Sequence, residues 1–210
     1  MTATTIARAA VIVALAAGAA SAQPYKDPDW PCEARKVRHL SWGQMWTGPV
    51  LPEESAAWRE DETLSRLVAV MAPRRTGLDA IAPMLEEVQA TEARSRDERL
   101  TALFAGVFAS IDAERAEIVD GITRLARRER ARAERIETMR EDLARLEAEA
   151  GPEDFDALDR IDELRDTIDW ETRIYDDRRR SLTYVCESPV ILEKRVFAIA
   201  RTIQGALGDG

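Results

Sequence analysis

The sequence predicts an all-α protein: a small helical base, a long antiparallel coiled-coil helical hairpin projecting from it, and an N-terminal strap rich in proline and tryptophan. Three observations predict this. Apolar residues recur at alternating spacings of three and four over two long stretches, which is the heptad pattern of a coiled coil. A Gly151-Pro152 pair separates those stretches. Five of the nine prolines and three of the five tryptophans fall before residue 53, and that proline density excludes a long helix there.

Residues 1–22 read as a signal peptide. Arg8 supplies a positive start, "AAVIVALAAGAA" (9–20) an apolar stretch, and Ala20-Ser21-Ala22 a small-x-small cleavage pattern. The apolar stretch is shorter than the roughly 20 residues of a membrane span. Gln23 rather than Cys follows the cut, so a lipoprotein anchor is not indicated. The expectation is an exported protein, periplasmic or secreted, with no membrane insertion after cleavage. Removing 22 of 210 residues leaves 188, one ordinary domain. Loss of Arg8 takes the formal charge from −9 to −10. Such a surface repels nucleic acid and anionic lipid.

The strap, 23–52, carries Pro24, Pro28, Pro31, Pro49 and Pro52, with Trp30, Trp42 and Trp46 between them. Cys32 and Cys186 are the only cysteines. In an oxidising compartment an even count favours a disulfide, here tying the strap to the junction of hairpin and base. At least two of Trp30, Trp42 and Trp46 are then expected to be buried against the base helices, because a strap that cannot use helix packing needs apolar area.

The base, 53–117, starts helical at Glu53. Leu64, Leu67, Val68 and Met71 share one face, and Pro73 stops the run. Ile81, Leu85 and Val88 predict a second helix over 77–92. Leu100, Phe104, Val107 and Ile111 begin a seam that slips by one residue before Ile118.

The hairpin, 118–186, carries the seam Ile118, Ile122, Leu125, Ile136, Met139, Leu143 and Leu146, with Glu129 and Arg132 as polar members. After the turn at 151–152, Glu153, Asp154 and Asp156 favour a new helix start. Leu158, Ile161, Leu164, Ile168, Glu171, Tyr175, Arg178, Leu182 and Val185 form the second seam. A short break between matched seams implies antiparallel neighbours. Folding one onto the other pairs 146 with 158, 136 with 168 and 122 with 182. The same register sets Arg132 opposite Glu171, an in-seam ion pair able to fix alignment. Ser188-Pro189 reads as the start of a separate C-terminal helix, 187–210, returning to the base through Leu192, Val196, Ile199 and Ile203.

The patterns exclude several functions. Cys32, His39 and Met45 are copper-ligand types, but such sites need two histidines and the chain has one. The acids of "EDFDALDRIDELRDTIDWE" recur at helical spacing without the central Gly of a calcium loop, and after "KDPDW" Pro31 stands where the third ligand should be. No nucleophile elbow, GxGxxG or P-loop is present. No enzyme activity, cofactor or metal is therefore expected.

Two features point outward instead. Trp170 lies off the seam, and exposed aromatic residues are enriched in interface hot spots. Residues 147–169 hold ten acids and two arginines, which makes the tip an acidic pole. Trp170, Asp154, Asp156 and Asp159 are the candidate partner contacts, and the implied partner is a basic protein of the cell envelope. A homo-oligomer is compatible with the same seams.

"PDWPCEARKV" followed by "WTGP", and "RRRSLTYVCESPV" near the end, resemble an uncharacterised group of exported proteobacterial helical proteins. That resemblance implies no activity, cofactor or catalytic residue. Over about residues 100–186 the hairpin is also similar in outline to tentacled periplasmic chaperones, which are basic where this chain is acidic. The function expected is a non-enzymatic periplasmic interaction or scaffold protein. The alternatives are a holdase-type chaperone and a ligand- or metal-binding protein using the Trp-rich strap.

Overall fold

The computed structural model describes residues 27–51 and 57–208. The expected signal peptide, Pro24 and Pro52 lie outside the described residues. Among those described there is no strand. Two helices dominate: α4 (Arg96–Glu149) and α5 (Phe155–Gly205) run antiparallel as a hairpin. The base holds the shorter α1 (Ala57–Glu60), α2 (Glu62–Met71) and α3 (Ile81–Met84).

The first base helix is split where the sequence predicted one run. Asp61 adopts an extended conformation, and its carboxylate accepts from Leu64 N at 3.1 Å to start α2 afresh. Arg99 of α4 donates to the same carboxylate, Nε at 3.0 Å and Nη2 at 2.9 Å. Burial pushes the Asp61 carboxyl up, but Leu64 N–H and Arg99 outweigh it and hold it below the ordinary value. Leu64, Leu67, Val68 and Met71 are buried as the spacing requires.

The predicted helix over 77–92 is instead three short pieces. A 3₁₀ turn, Leu78–Ala80, precedes α3, and another, Leu85–Glu87, follows it. Pro83 within α3 cannot donate a helical bond, and Val88 leaves the helical region at ψ 88°. Ile81, Leu85 and Val88 are nevertheless all buried. The carbonyls freed by this irregularity go to α4: Arg96 Nε donates to Val88 O at 3.1 Å, and Arg99 Nη1 to Gln89 O. Arg195 of α5 does the same for the end of α2, donating to Met71 O at 2.6 Å and Ala72 O at 2.9 Å. Long buried arginines thus end helices that lack terminal glycines.

Helix α4 opens on a capping box. Ser95 Oγ accepts from Glu98 N at 3.2 Å, while Ser95 N donates to Glu98 Oε2 at 2.8 Å. Its 54 residues make it about 80 Å long at ~1.5 Å per residue. Gly106 lets α1 and α2 approach: a Cβ there would lie 2.5 Å from Val68 and 2.8 Å from the Trp58 ring. Phe104 closes the base core, with Trp46 stacked on it at 4.2 Å between ring centroids.

The expected boundaries at 117/118 and 186/187 fall inside helices. The separate helix expected from Ser188-Pro189 is part of α5, which passes through Pro189 unbroken. The physical reason lies in the seam. Val185, Pro189, Leu192, Val196, Ile199 and Ile203 keep alternating spacings of four and three, so helix continuity keeps the whole face on α4. Arg115 Nε donates to Pro189 O at 3.3 Å beside the site of the missing N–H. The register slip before Ile118 is real but resolves differently from the predicted seam. Arg115, Ala116 and Val119 are buried, whereas Ile118 is only half-buried.

At the tip, Ala150 ends α4 and Asp154 caps α5 by accepting from Ala157 N at 3.1 Å. The turn therefore includes Gly151-Pro152. Leu158, assigned to the seam, is 39% exposed, because two helices alone cannot enclose side chains at their open end.

Candidate functional site

The arm carries its polar residues in one connected series. Arg132 Nη1 donates to Glu171 Oε2, and Arg135 Nη2 lies 3.3 Å from the same oxygen. Glu129, buried, accepts from Arg178 Nη1 at 3.0 Å across the hairpin. Its second oxygen faces Arg132 Nε at 3.4 Å without making a hydrogen bond. Burial pushes the Glu171 carboxyl up, but Arg132 and Arg135 together hold it below the ordinary value. These groups alternate in sign along a partly dry seam, where a one-turn slip would set like charges against each other. They act as a register key.

Toward the tip the arm is exposed. Phe155 is 73% exposed and Trp170 64%, and Asp154, Asp156 and Asp159 are all exposed. The structure brings Phe155, Asp156 and Asp159 together on the first turns of α5. Trp170 lies about four turns along the same helix, pointing away from α4. Asp154 differs from its two neighbours, since its carboxylate is committed to the cap.

The strap lies against both long helices at the arm's root. Cys32 and Cys186 are joined, with 5.5 Å between their Cα atoms. Around that bond the strap is latched to α4 by charge. Asp29 accepts from Arg127 Nε at 2.6 Å and pairs with Arg130 Nη2 at 2.7 Å. Arg38 Nε donates to both oxygens of Asp120 at 3.1 Å. His39 Nδ1 lies 2.8 Å from Asp112, and Leu40 N donates to the other oxygen of Asp112 at 2.7 Å. Donation by Nδ1–H leaves Nε2 free to accept from Arg38, so this tautomer satisfies both contacts. Beneath the strap, buried Arg115 donates to Val37 O.

Sequence reasoning missed these latches. Heptad spacing gives no clue that Asp29 of the strap takes Arg127 and Arg130 of α4. The available signal is the acid pair of "KDPDW", which serves as ion-pair partners and not as a calcium loop. Asp27 in fact pairs with Lys36 at 2.9 Å.

Tryptophan burial follows the expectation only in part. Trp46 is 3% exposed and enters the core, and Trp30 is half-buried. Trp42 is 38% exposed and does not. Between the strap and α5 lies a cavity of about 880 Å³. A second of about 740 Å³ adjoins it and shares Ala34, Cys186, Val190 and Lys194 with the first. Among the described residues, no group of three or more His, Cys, Asp or Glu is placed to hold a metal ion. No helix among them is long and apolar enough to cross a membrane.

No family model, curated protein or solved structure matches the chain. The fold and its surfaces are therefore the basis for reading its function.

Proposed function

We propose that this protein is a non-enzymatic interaction or scaffold protein of the cell envelope, exported to the periplasm, and that the outer part of its arm receives a protein partner. One observation carries the reading: Phe155 and Trp170 stand exposed on the far half of a lever whose root is fixed by a disulfide, a latched strap and a closed apolar core. Large aromatic side chains supply contact area at low entropic cost. The acids between them select a basic partner and speed the encounter. Export is supported by the disulfide, which persists in oxidising compartments.

The test is capture from an envelope extract by the oxidised chain, alongside Trp170→Ala and an Asp156→Asn/Asp159→Asn variant. One stoichiometric partner, lost with Trp170→Ala and weakened as salt rises, is the expected result. Recovery of many unfolded clients, insensitive to these substitutions, would instead identify a holdase.

A further inference from the structure

We infer that the trough between the strap and α5 is a binding site for a single-chain amphiphile with a carboxylate head group, of the fatty-acid type. This goes beyond the partner surface proposed for the arm and does not depend on it.

The trough combines three features. The first is shape. The two adjoining cavities lie along one face of α5, reaching from Arg179 to Phe197, about 27 Å at ~1.5 Å per residue. That form suits an extended chain better than a compact ring. Their volumes fall within the few hundred to 1,000 Å³ of small-molecule sites. The second is an apolar lining open to solvent. Val37 and Phe197 on its wall are each more than two-fifths exposed, as is Ile191 in the adjoining cavity. Large apolar residues left open to water beside a formed cavity mark a surface that something covers.

The third is charge. The larger cavity is lined by Arg35, Arg115 and Lys194 against the single carboxylate of Glu193, with His39 counted neutral. That is an excess of two positive charges at this end of the trough, where the head group sits; the smaller cavity adds Arg179 against Glu33 and Glu187, so the whole trough carries a net +1 on a chain whose total is −9. Arg115 is 4% exposed overall, and its Nη2 meets Glu193 Oε2 at only 3.6 Å, beyond hydrogen-bond range. Arg115 gives Nε to Pro189 O and Nη1 to Val37 O, which leaves Nη2, with Glu193 as its charged neighbour, as the part of the guanidinium that can take a further acceptor from the trough. A ligand carboxylate supplies that acceptor and offsets the excess charge. Glu193 beside it disfavours a doubly charged head.

The disulfide gives the trough its shape. Cys32 and Cys186 border the smaller cavity, so the bond holds the strap wall against α5.

The experiment titrates the full oxidised chain with sodium dodecanoate below its micelle concentration, followed by calorimetry and by the fluorescence of Trp30 on the cavity wall. Expected is saturation at one dodecanoate per chain. Dodecyltrimethylammonium, with the same tail and opposite charge, should bind at least about ten-fold more weakly, and acetate should not bind measurably. An Arg35→Glu/Lys194→Glu variant, both surface positions, should lose about ten-fold in affinity with its melting temperature retained. Phe197→Asp should lose a similar factor, and Trp170→Ala on the arm should bind dodecanoate normally. Absence of saturable binding, equal affinity for the cationic amphiphile, or loss on Trp170→Ala would overturn the site. Tighter binding of dodecyl phosphate than of dodecanoate would overturn the carboxylate assignment.

Discussion

Near residue 104, α4 meets α5 across Leu103, Phe104, Ile111, Leu192 and Ile199, all fully buried with further layers from α2 and α3 around them. Near residue 132 the same helix meets the same partner across Glu129, Arg132 and Glu171. Apolar burial along the arm is confined to Val119, Ile122, Ile136, Ile161 and Ile168, with half-exposed residues between them. One pair of continuous helices thus serves two physical regimes. In the base, many elements surround the seam, and burial at about 25 cal/mol per Å² dominates. In the arm, two helices cannot surround anything, so charges supply the alignment that packing cannot. The difference separates stability from reach: the base holds the fold, and the arm needs only to stay in register while presenting its tip.

The sharpest break of that division is at its boundary. Removing the disulfide by Cys32→Ser should have the largest effect. The loop it closes spans 154 residues of separation, for which the chain-entropy model gives about 5 kcal/mol, less any native strain. Thermal melts of the oxidised protein and the variant measure this. The loss should appear mainly in the base transition and the strap, because the bond does not constrain the tip.

Phe104→Ala against Ile136→Ala compares the two regimes directly. Phe104 touches Trp46 and Phe108 in a closed core, so its truncation should cost about 3–5 kcal/mol. Ile136, in a seam open at both edges, can be refilled by its neighbours and should stay near the lower end of the 2–5 kcal/mol range. Urea denaturation measures both, and equal losses would show the arm to be packed like the base.

The arm's own determinant is charge. Reversal at Arg132 or Glu171 alone should destabilise it, and Arg132→Glu with Glu171→Arg should recover about 0.5–3 kcal/mol as coupling. The bystanders complicate the double reversal, since Glu129 and Arg135 also touch the pair. The coupling should therefore be less than symmetric. Zero coupling would leave the register to Ile136 and Ile168 alone.

How much was legible in the residues follows the same division. The arm is a local, repetitive object. Its heptads, its Gly151-Pro152 turn and the Arg132–Glu171 alignment were readable because each is a matter of spacing. The disulfide was readable from the even cysteine count together with the expectation of export. The base was less legible, because its irregular segments are stabilised from far away. Nothing near Asp61 announces that Arg99 will bind it, and nothing near Met71 announces Arg195, 124 positions on. Pro189 misled because local rules for proline were weighed ahead of the spacing that ran through it. The trough was invisible, since its walls come from opposite ends of the chain. Trp170 was readable only as a residue off the seam, which either faces solvent or lies under a third helix; the structure leaves it 64% exposed.

A smaller effect tests the tip. Asp154→Ala should cost the arm about 1 kcal/mol by removing the α5 cap. Neutralising Asp159 should leave stability almost unchanged, and neutralising Asp156, which lies in the first turn but caps nothing, should cost only about 0.3 kcal/mol. Hydrogen exchange over residues 155–160 separates the two. Faster exchange confined to Asp154→Ala assigns that residue to structure and leaves the other two for a partner.

The smallest effect belongs to the strap latches, which are exposed ion pairs and screened by salt. Its sign is nonetheless fixed. Hydrogen bonds from Arg127 and Arg130 hold the Asp29 carboxyl below its ordinary 3.8, with burial opposing. Arg38 does the same for Asp120. A carboxylate whose folded value lies below its unfolded one contributes stability above the unfolded value and loses it as pH falls through the folded one. The latches should thus be fully closed above about pH 5 and loosen progressively as pH drops below about 4. Amide exchange of residues 27–31 and 37–40 should accelerate over that window after correction for intrinsic pH dependence, while the Leu100–Ile111 core stays protected. The disulfide keeps Cys32 in place throughout, so acid loosens the strap on both sides of a fixed point. Asp29→Asn should remove the acid response at 27–31 and leave that at 37–40 intact, because the two latches use different arginines. A response that survives Asp29→Asn at both segments would assign the acid effect to the fold as a whole instead of the latches.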